Sequence, residues 1–76
     1  MATLADGWAP HRQRVIVEGR ELADRLTKLR TFCEGPELDR LAKEEQRLLL
    51  DQVEAMSHYL LAINRRLVYW VSQGSN

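Results

Sequence analysis

The residues best suited to chemistry are the cations of one stretch, HRQRVIVEGRELADRLTKLRTF, residues 11–32. Arg12, Arg14, Arg20, Arg25, Lys28 and Arg30 outnumber Glu18, Glu21 and Asp24 there. His11, Arg14, Glu18, Glu21, Arg25, Lys28 and Phe32 follow steps of three and four, so a helix places them on one face. Two readings follow. In the first, Arg14–Glu18 and Glu21–Arg25 are i,i+4 ion pairs on a solvated face, each stabilising by a few tenths of a kcal/mol. In the second, Arg25 and Lys28, with Arg14, present cations to a phosphate. Trp8 and His11 stand near the start of this helix, where a flat ring can stack on a base.

Other chemistry has thinner support. There is no Ser/His/Asp arrangement, no phosphate loop and no glycine-rich strand-to-helix turn. Glu44 and Glu45 are adjacent and diverge around a helix. His58 stands alone, which suits a surface or interface residue. Cys33 lies on an apolar stripe and suits a small core residue. Neither a metal site nor a cofactor is expected, since no Cys/His cluster has ligand spacing. No enzyme is expected either.

At 76 residues the chain makes one domain at most, expected over residues 1–73 with a flexible tail at 74–76. So short a chain buries little surface and is marginal alone. With one cysteine it forms no internal disulfide, and oligomerisation is the remaining route to stability. The net charge of zero argues against a coat for DNA or RNA. The charge is nevertheless uneven, +3 over residues 11–30 and −4 over residues 34–54. That favours antiparallel packing of the two segments, or contacts between subunits. No apolar run nears the roughly 18 residues needed to span a membrane. No signal pattern opens the chain, so a soluble protein is expected.

Three interruptions position the elements. Gly7 and Pro10 bracket an N-terminal segment, for which Thr3 can cap a short helix. Pro10 suits the first turn of the next helix, expected to run to about Glu34. Its apolar stripe is Val15, Leu22, Leu26, Leu29 and Cys33. Gly19 interrupts it, at about 1 kcal/mol relative to alanine. Gly35 is expected as a left-handed cap, and Pro36 blocks continuation. Glu37 to Leu41 can add a turn that tucks Leu38 and Leu41 inward. The last helix is expected from Lys43-Glu44-Glu45, whose acids suit a helix N-terminus. Its seam of Leu49, Val53, Met56, Leu60, Ile63, Leu67 and Trp70 alternates steps of four and three, a coiled-coil spacing.

More apolar residues flank that seam. Leu48, Ala55, Tyr59, Ala62 and Tyr69 lie on one side, and Leu50, Leu61, Val68 and Val71 on the other. One partner helix cannot cover so wide an arc. The expected fold is therefore all-α: a short N-terminal helix plus an antiparallel helical hairpin, assembled into a homo-oligomer.

One pattern goes further. Arg14-Val15, Glu18, Leu22, Arg25, Lys28-Leu29 and Phe32 are followed by Leu41, Glu44-Glu45-Gln46, Leu48-Leu49, Gln52, Met56, Tyr59, Leu61 and Arg65 or Arg66. Over residues 11–67 this resembles the small phage proteins that counter CBASS immunity by sequestering its cyclic oligonucleotide signals. The resemblance implies a compact homo-hexamer that binds cyclic dinucleotides such as cyclic GMP-AMP between protomers, with cyclic trinucleotides as a second ligand class, and does not cleave them. It implies action in the cytoplasm of the infected bacterial host, with neither membrane nor DNA as partner. It puts the phosphate-binding role on Arg25 or Lys28. The stacking role falls to His11, where a tyrosine is usual, or to Trp8 one turn back. Gly19 replaces a usual long side chain, and in a pocket it would admit a neighbouring backbone or the ligand. The competing reading is a helical coiled-coil module for protein–protein contacts. A non-specific single-strand binder is a third, against which the zero net charge counts.

Overall fold

The computed structural model describes residues 9–74. They form two long helices and no strand: α1, Pro10–Glu34, and α2, Lys43–Gly74, joined through a single 3-10 turn at Leu38–Arg40. The N-terminal helix expected after Thr3, the side chain of Trp8 and the end of the tail lie outside the described residues.

Pro10 occupies the first turn of α1, and the N–H groups of Arg12 and Gln13 both donate to the Ala9 carbonyl, at 2.9 and 3.2 Å. α1 ends as expected, but by another device. Gly35 sits at φ −94°, ψ 176°, an extended conformation and not the left-handed cap, and its N–H donates to the Phe32 carbonyl at 3.2 Å. The chain leaves the helix extended because Pro36 follows, and a residue before proline favours β conformations. Leu38 and Leu41 are half-buried beneath the hairpin end, as their spacing predicts. At the start of α2 the Gln46 side chain donates to the Leu41 carbonyl at 2.9 Å, and Glu44 and Glu45 occupy the first turn.

Every seam residue from Leu49 to Trp70 is buried or half-buried, and half-buried Gln46 extends the series by one step. On α1 the buried stripe is more regular than its apolar residues alone indicate. Arg12, Val15, Gly19, Leu22, Leu26, Leu29 and Cys33 are all buried or half-buried, and their steps alternate three and four. Gly19 is thus a member of the seam. A Cβ built on it would lie 3.1 Å from Cγ2 of Ile63, a side chain only 1% exposed. The close approach that glycine permits is that of α2, not of a ligand. Near the other end of the pair, the Arg12 guanidinium lies 4.7 Å from the Trp70 ring centroid. Both contacts fit one antiparallel register, which sets Val15 level with Leu67, Leu22 with Leu60, Leu26 with Met56, Leu29 with Val53 and Cys33 with Leu49.

The hairpin is elongated, 52 × 22 × 16 Å. Among the described residues its buried large side chains are Leu22, Leu26, Ile63 and Trp70, of which Leu26 and Ile63 are fully buried. This is a thin core. Leu48, Leu50, Tyr59, Leu61, Val68 and Tyr69 of α2 remain about half exposed or more, as the wide apolar arc predicts for one chain.

Candidate functional site

Two hydrogen bonds between the helices mark the two sides of the hairpin. On one side the Tyr59 hydroxyl donates to the Glu18 carboxylate. On the other the Arg30 guanidinium donates to the Ser57 hydroxyl at 2.8 Å. Helical steps of three and four from Glu18 reach His11, Arg14, Glu21, Arg25, Lys28 and Phe32. The same steps from Tyr59 reach Leu48, Gln52, Ala55, Ala62, Arg66 and Tyr69. The candidate cations and both tyrosines therefore share one flank.

The ion pairs on this flank differ from those the spacing suggests. Glu18 bonds to Tyr59 across the helix gap, and neither Arg14–Glu18 nor Glu21–Arg25 forms. These are exposed charges whose pairing gains little against side-chain entropy. Lys28 instead pairs with Asp24 at 3.0 Å, both well exposed. Arg14 and Arg25 are exposed and make no ion pair or side-chain hydrogen bond among the described residues. Each keeps a full guanidinium fork available to an anion.

The tyrosine bond has an electrostatic consequence. The Tyr59 phenol is held above its usual value of 10.0, chiefly because its proton is shared with Glu18. Desolvation and the carboxylate's charge push the same way, and Arg66 opposes them.

At the open end of the hairpin an aromatic and cationic cluster surrounds Trp70, which is 9% exposed. Arg12 and Arg66 lie 4.7 and 4.9 Å from its ring centroid, and the His11 ring meets it edge-on at 6.2 Å and 89°. Guanidinium–indole contacts of this kind contribute about 0.5–2 kcal/mol each. His11 is thus braced by a second aromatic ring while remaining exposed. Sequence reasoning placed Trp70 on the seam and gave Arg12 and Arg66 no contact with it. The signal was present: Arg12 continues the α1 seam by one step, and the antiparallel register sets it level with Trp70.

The four described candidates do not converge within one chain. His11 and Arg14 lie at the open end, beside the Trp70 cluster. Arg25 and Lys28 lie toward the turn. His11 and Arg25 are 14 residues apart on one helix, about 21 Å at 1.5 Å per residue. Trp8 is outside the described residues. A shallow open depression on the outer face of α2 is lined by Asp51, Glu54, Ala55 and His58, and its two carboxylates disfavour an anion. Among the described residues no group of three or more His, Cys, Asp or Glu side chains is placed to hold a metal. No helix among them is long and apolar enough to cross a membrane.

A search of curated proteins and a search of solved structures each return no match. The Sequestin family model matches residues 9–69, which take in all of α1, the 3-10 turn and α2 as far as Tyr69. With most of the chain matched, the protein belongs to the Sequestin family, the anti-CBASS sponges of cyclic oligonucleotides.

Proposed function

We propose that this protein binds and sequesters cyclic dinucleotides, such as cyclic GMP-AMP, between protomers of a homo-hexamer, without cleaving them. Cyclic trinucleotides are its second ligand class. It is a phage protein that withholds these signals from CBASS effectors in the cytoplasm of the infected bacterium. Membership of a binding, sequestering family supports the general reading.

The observation that carries the specific reading is Arg25. It is an exposed arginine without a partner among the described residues, on the flank that also holds Arg14, His11 and Tyr59. Lys28 is the weaker phosphate ligand, because Asp24 already neutralises part of its charge. The separation of about 21 Å between His11 and Arg25 exceeds what one cyclic dinucleotide spans. A pocket using both therefore takes them from two chains. A two-fold interface supplies each cation twice, and a cyclic dinucleotide carries two phosphates related by near two-fold symmetry. Stacking on His11 or Trp8 adds about 1–3 kcal/mol per base.

Calorimetry with a panel of cyclic di- and trinucleotides tests this directly. Near-stoichiometric binding of at least one dinucleotide is expected. Arg25→Ala is expected to weaken that binding by about 10-fold to 100-fold, the worth of a charge-assisted hydrogen bond at about 1.5–3 kcal/mol. Lys28→Ala should cost less, and neither substitution should change the mass in solution. Silence across the panel favours the coiled-coil interaction module. Dissociation of the oligomer on Arg25→Ala would make that arginine an interface residue and overturn its assignment.

A further inference from the structure

Of the charged α1 residues on the candidate ligand flank, Glu18 is the one bonded to the other helix among the described residues. It stands four residues after Arg14. Helical side chains lean toward the helix N-terminus, so an unheld Glu18 carboxylate reaches over the turn that carries Arg14. Tyr59 acts against that lean. The register that sets Gly19 against Ile63 and Arg12 against Trp70 makes Tyr59 level with Ala23. Tyr59 thus stands on the hairpin-turn side of Glu18, and Arg14 on the open-end side. The phenol hydroxyl donates to the carboxylate from the side away from Arg14.

The chemistry of the donor matters as much as its place. The phenol is neutral, and this bond holds its pKa above 10.0. It occupies an acceptor position of Glu18 without consuming a cation. Arg14 and Glu18 stand in the order cation before acid, the weaker arrangement of an i,i+4 pair. A hydrogen bond to a carboxylate outcompetes such a pair. Arg14 is accordingly exposed and makes no ion pair among the described residues. Glu21 and Arg25 stay apart although no bond from α2 holds Glu21, so the hold concerns Arg14 alone.

We propose that Tyr59 is a positioning residue for anion binding: by holding Glu18 toward α2, it keeps the Arg14 guanidinium open to a phosphate of the ligand. This deepens the cyclic dinucleotide reading above and rests on it. In this role Tyr59 does not touch the ligand. Glu18 is a competitor for Arg14 that the phenol keeps occupied. Loss of the hydroxyl therefore acts only through Glu18, and removing the charge of Glu18 cancels the loss.

Wild type, Tyr59→Phe, Glu18→Gln and the double variant, titrated in a calorimeter with the cyclic dinucleotide panel, test this. Tyr59 is half exposed, so phenylalanine disturbs little packing, which circular dichroism checks. Tyr59→Phe is expected to weaken the best-bound dinucleotide by about 2-fold to 5-fold, the worth of an exposed ion pair. Glu18→Gln is expected to bind at least as tightly as the wild type, and the double variant to match Glu18→Gln. A second readout needs no ligand. In NMR spectra of labelled arginine side chains, the Arg14 Nε–Hε resonance is expected to move in Tyr59→Phe and to return in the double variant. Unchanged affinity in Tyr59→Phe overturns the proposal. So does a double variant that stays weak, which would make Tyr59 a direct contact or a packing residue. Weaker binding by Glu18→Gln overturns it as well, since Glu18 would then be a ligand contact. An unmoved Arg14 resonance in Tyr59→Phe overturns the hold on Glu18. A wild type that binds no dinucleotide overturns the cyclic dinucleotide reading, and the positioning role falls with it even where the Arg14 resonance moves.

Discussion

Gly19 sets the separation of the two helices at mid-length. Alanine there improves helix propensity by about 1 kcal/mol. Its Cβ, however, meets Ile63 at 3.1 Å, in a side chain held by packing on all sides. Overpacking of this kind costs about 1–3 kcal/mol, so Gly19→Ala is expected to destabilise by about 1 kcal/mol in denaturant melts, and a stabilised variant would show that Ile63 yields. Tyr59 makes a second residue-scale prediction. Its folded pKa is raised, so the proton it shares with Glu18 is favoured in the folded state. That contribution is fully present below the ordinary phenol value of 10.0 and is lost as pH rises through the raised folded value. Phenolate absorbance should therefore place the Tyr59 titration lower in Glu18→Ala than in the wild type. An unchanged curve would mean that the bond to Glu18 does not persist in solution.

The helices differ in what they offer. α1 has one apolar stripe and buries it on α2. α2 carries the same seam and two further partly apolar stripes, so it is the element that leaves surface over. The shared core is thin enough for single residues to matter. Leu26 is 2% exposed, and truncating such a leucine costs about 2–5 kcal/mol. Leu26→Ala is expected to abolish or strongly shift the cooperative unfolding transition seen by circular dichroism. Leu48→Ala, at a residue 55% exposed in the single chain, should leave the hairpin's own packing within about 0.5 kcal/mol of the wild type. Any larger effect of Leu48→Ala would report burial between chains.

For the whole molecule, the proposed assembly would link stability to ligand binding. A hairpin with four buried large side chains among its described residues has little to resist unfolding alone. Association removes native chains from the unfolding equilibrium, so the melting temperature of the proposed oligomer is expected to rise with protein concentration. A cyclic dinucleotide bridging two chains should raise it further and make it less sensitive to dilution. A concentration-independent Tm would instead describe a self-sufficient monomer and contradict the oligomeric reading.

Much of the fold was legible in the residues. Pro10, the Gly35-Pro36 break and the four-three spacing from Leu49 to Trp70 set the helices and their buried faces, because helix periodicity is a local property that each segment expresses alone. The cations sharing a face with His11 were legible for the same reason. What the spacing could not state was the register between helices, since that depends on which side chains meet across the gap. The register turned Gly19 from a helix defect into the contact point for Ile63, and brought Arg12 onto Trp70, beside Arg66 one turn back on the same helix. It also gave Glu18 to Tyr59, leaving Arg14 without the pairing that its spacing promised. Local sequence thus determined two amphipathic helices and a basic face. The tertiary structure alone decided which side chains meet across the gap, and so which cations stay free of a partner among the described residues.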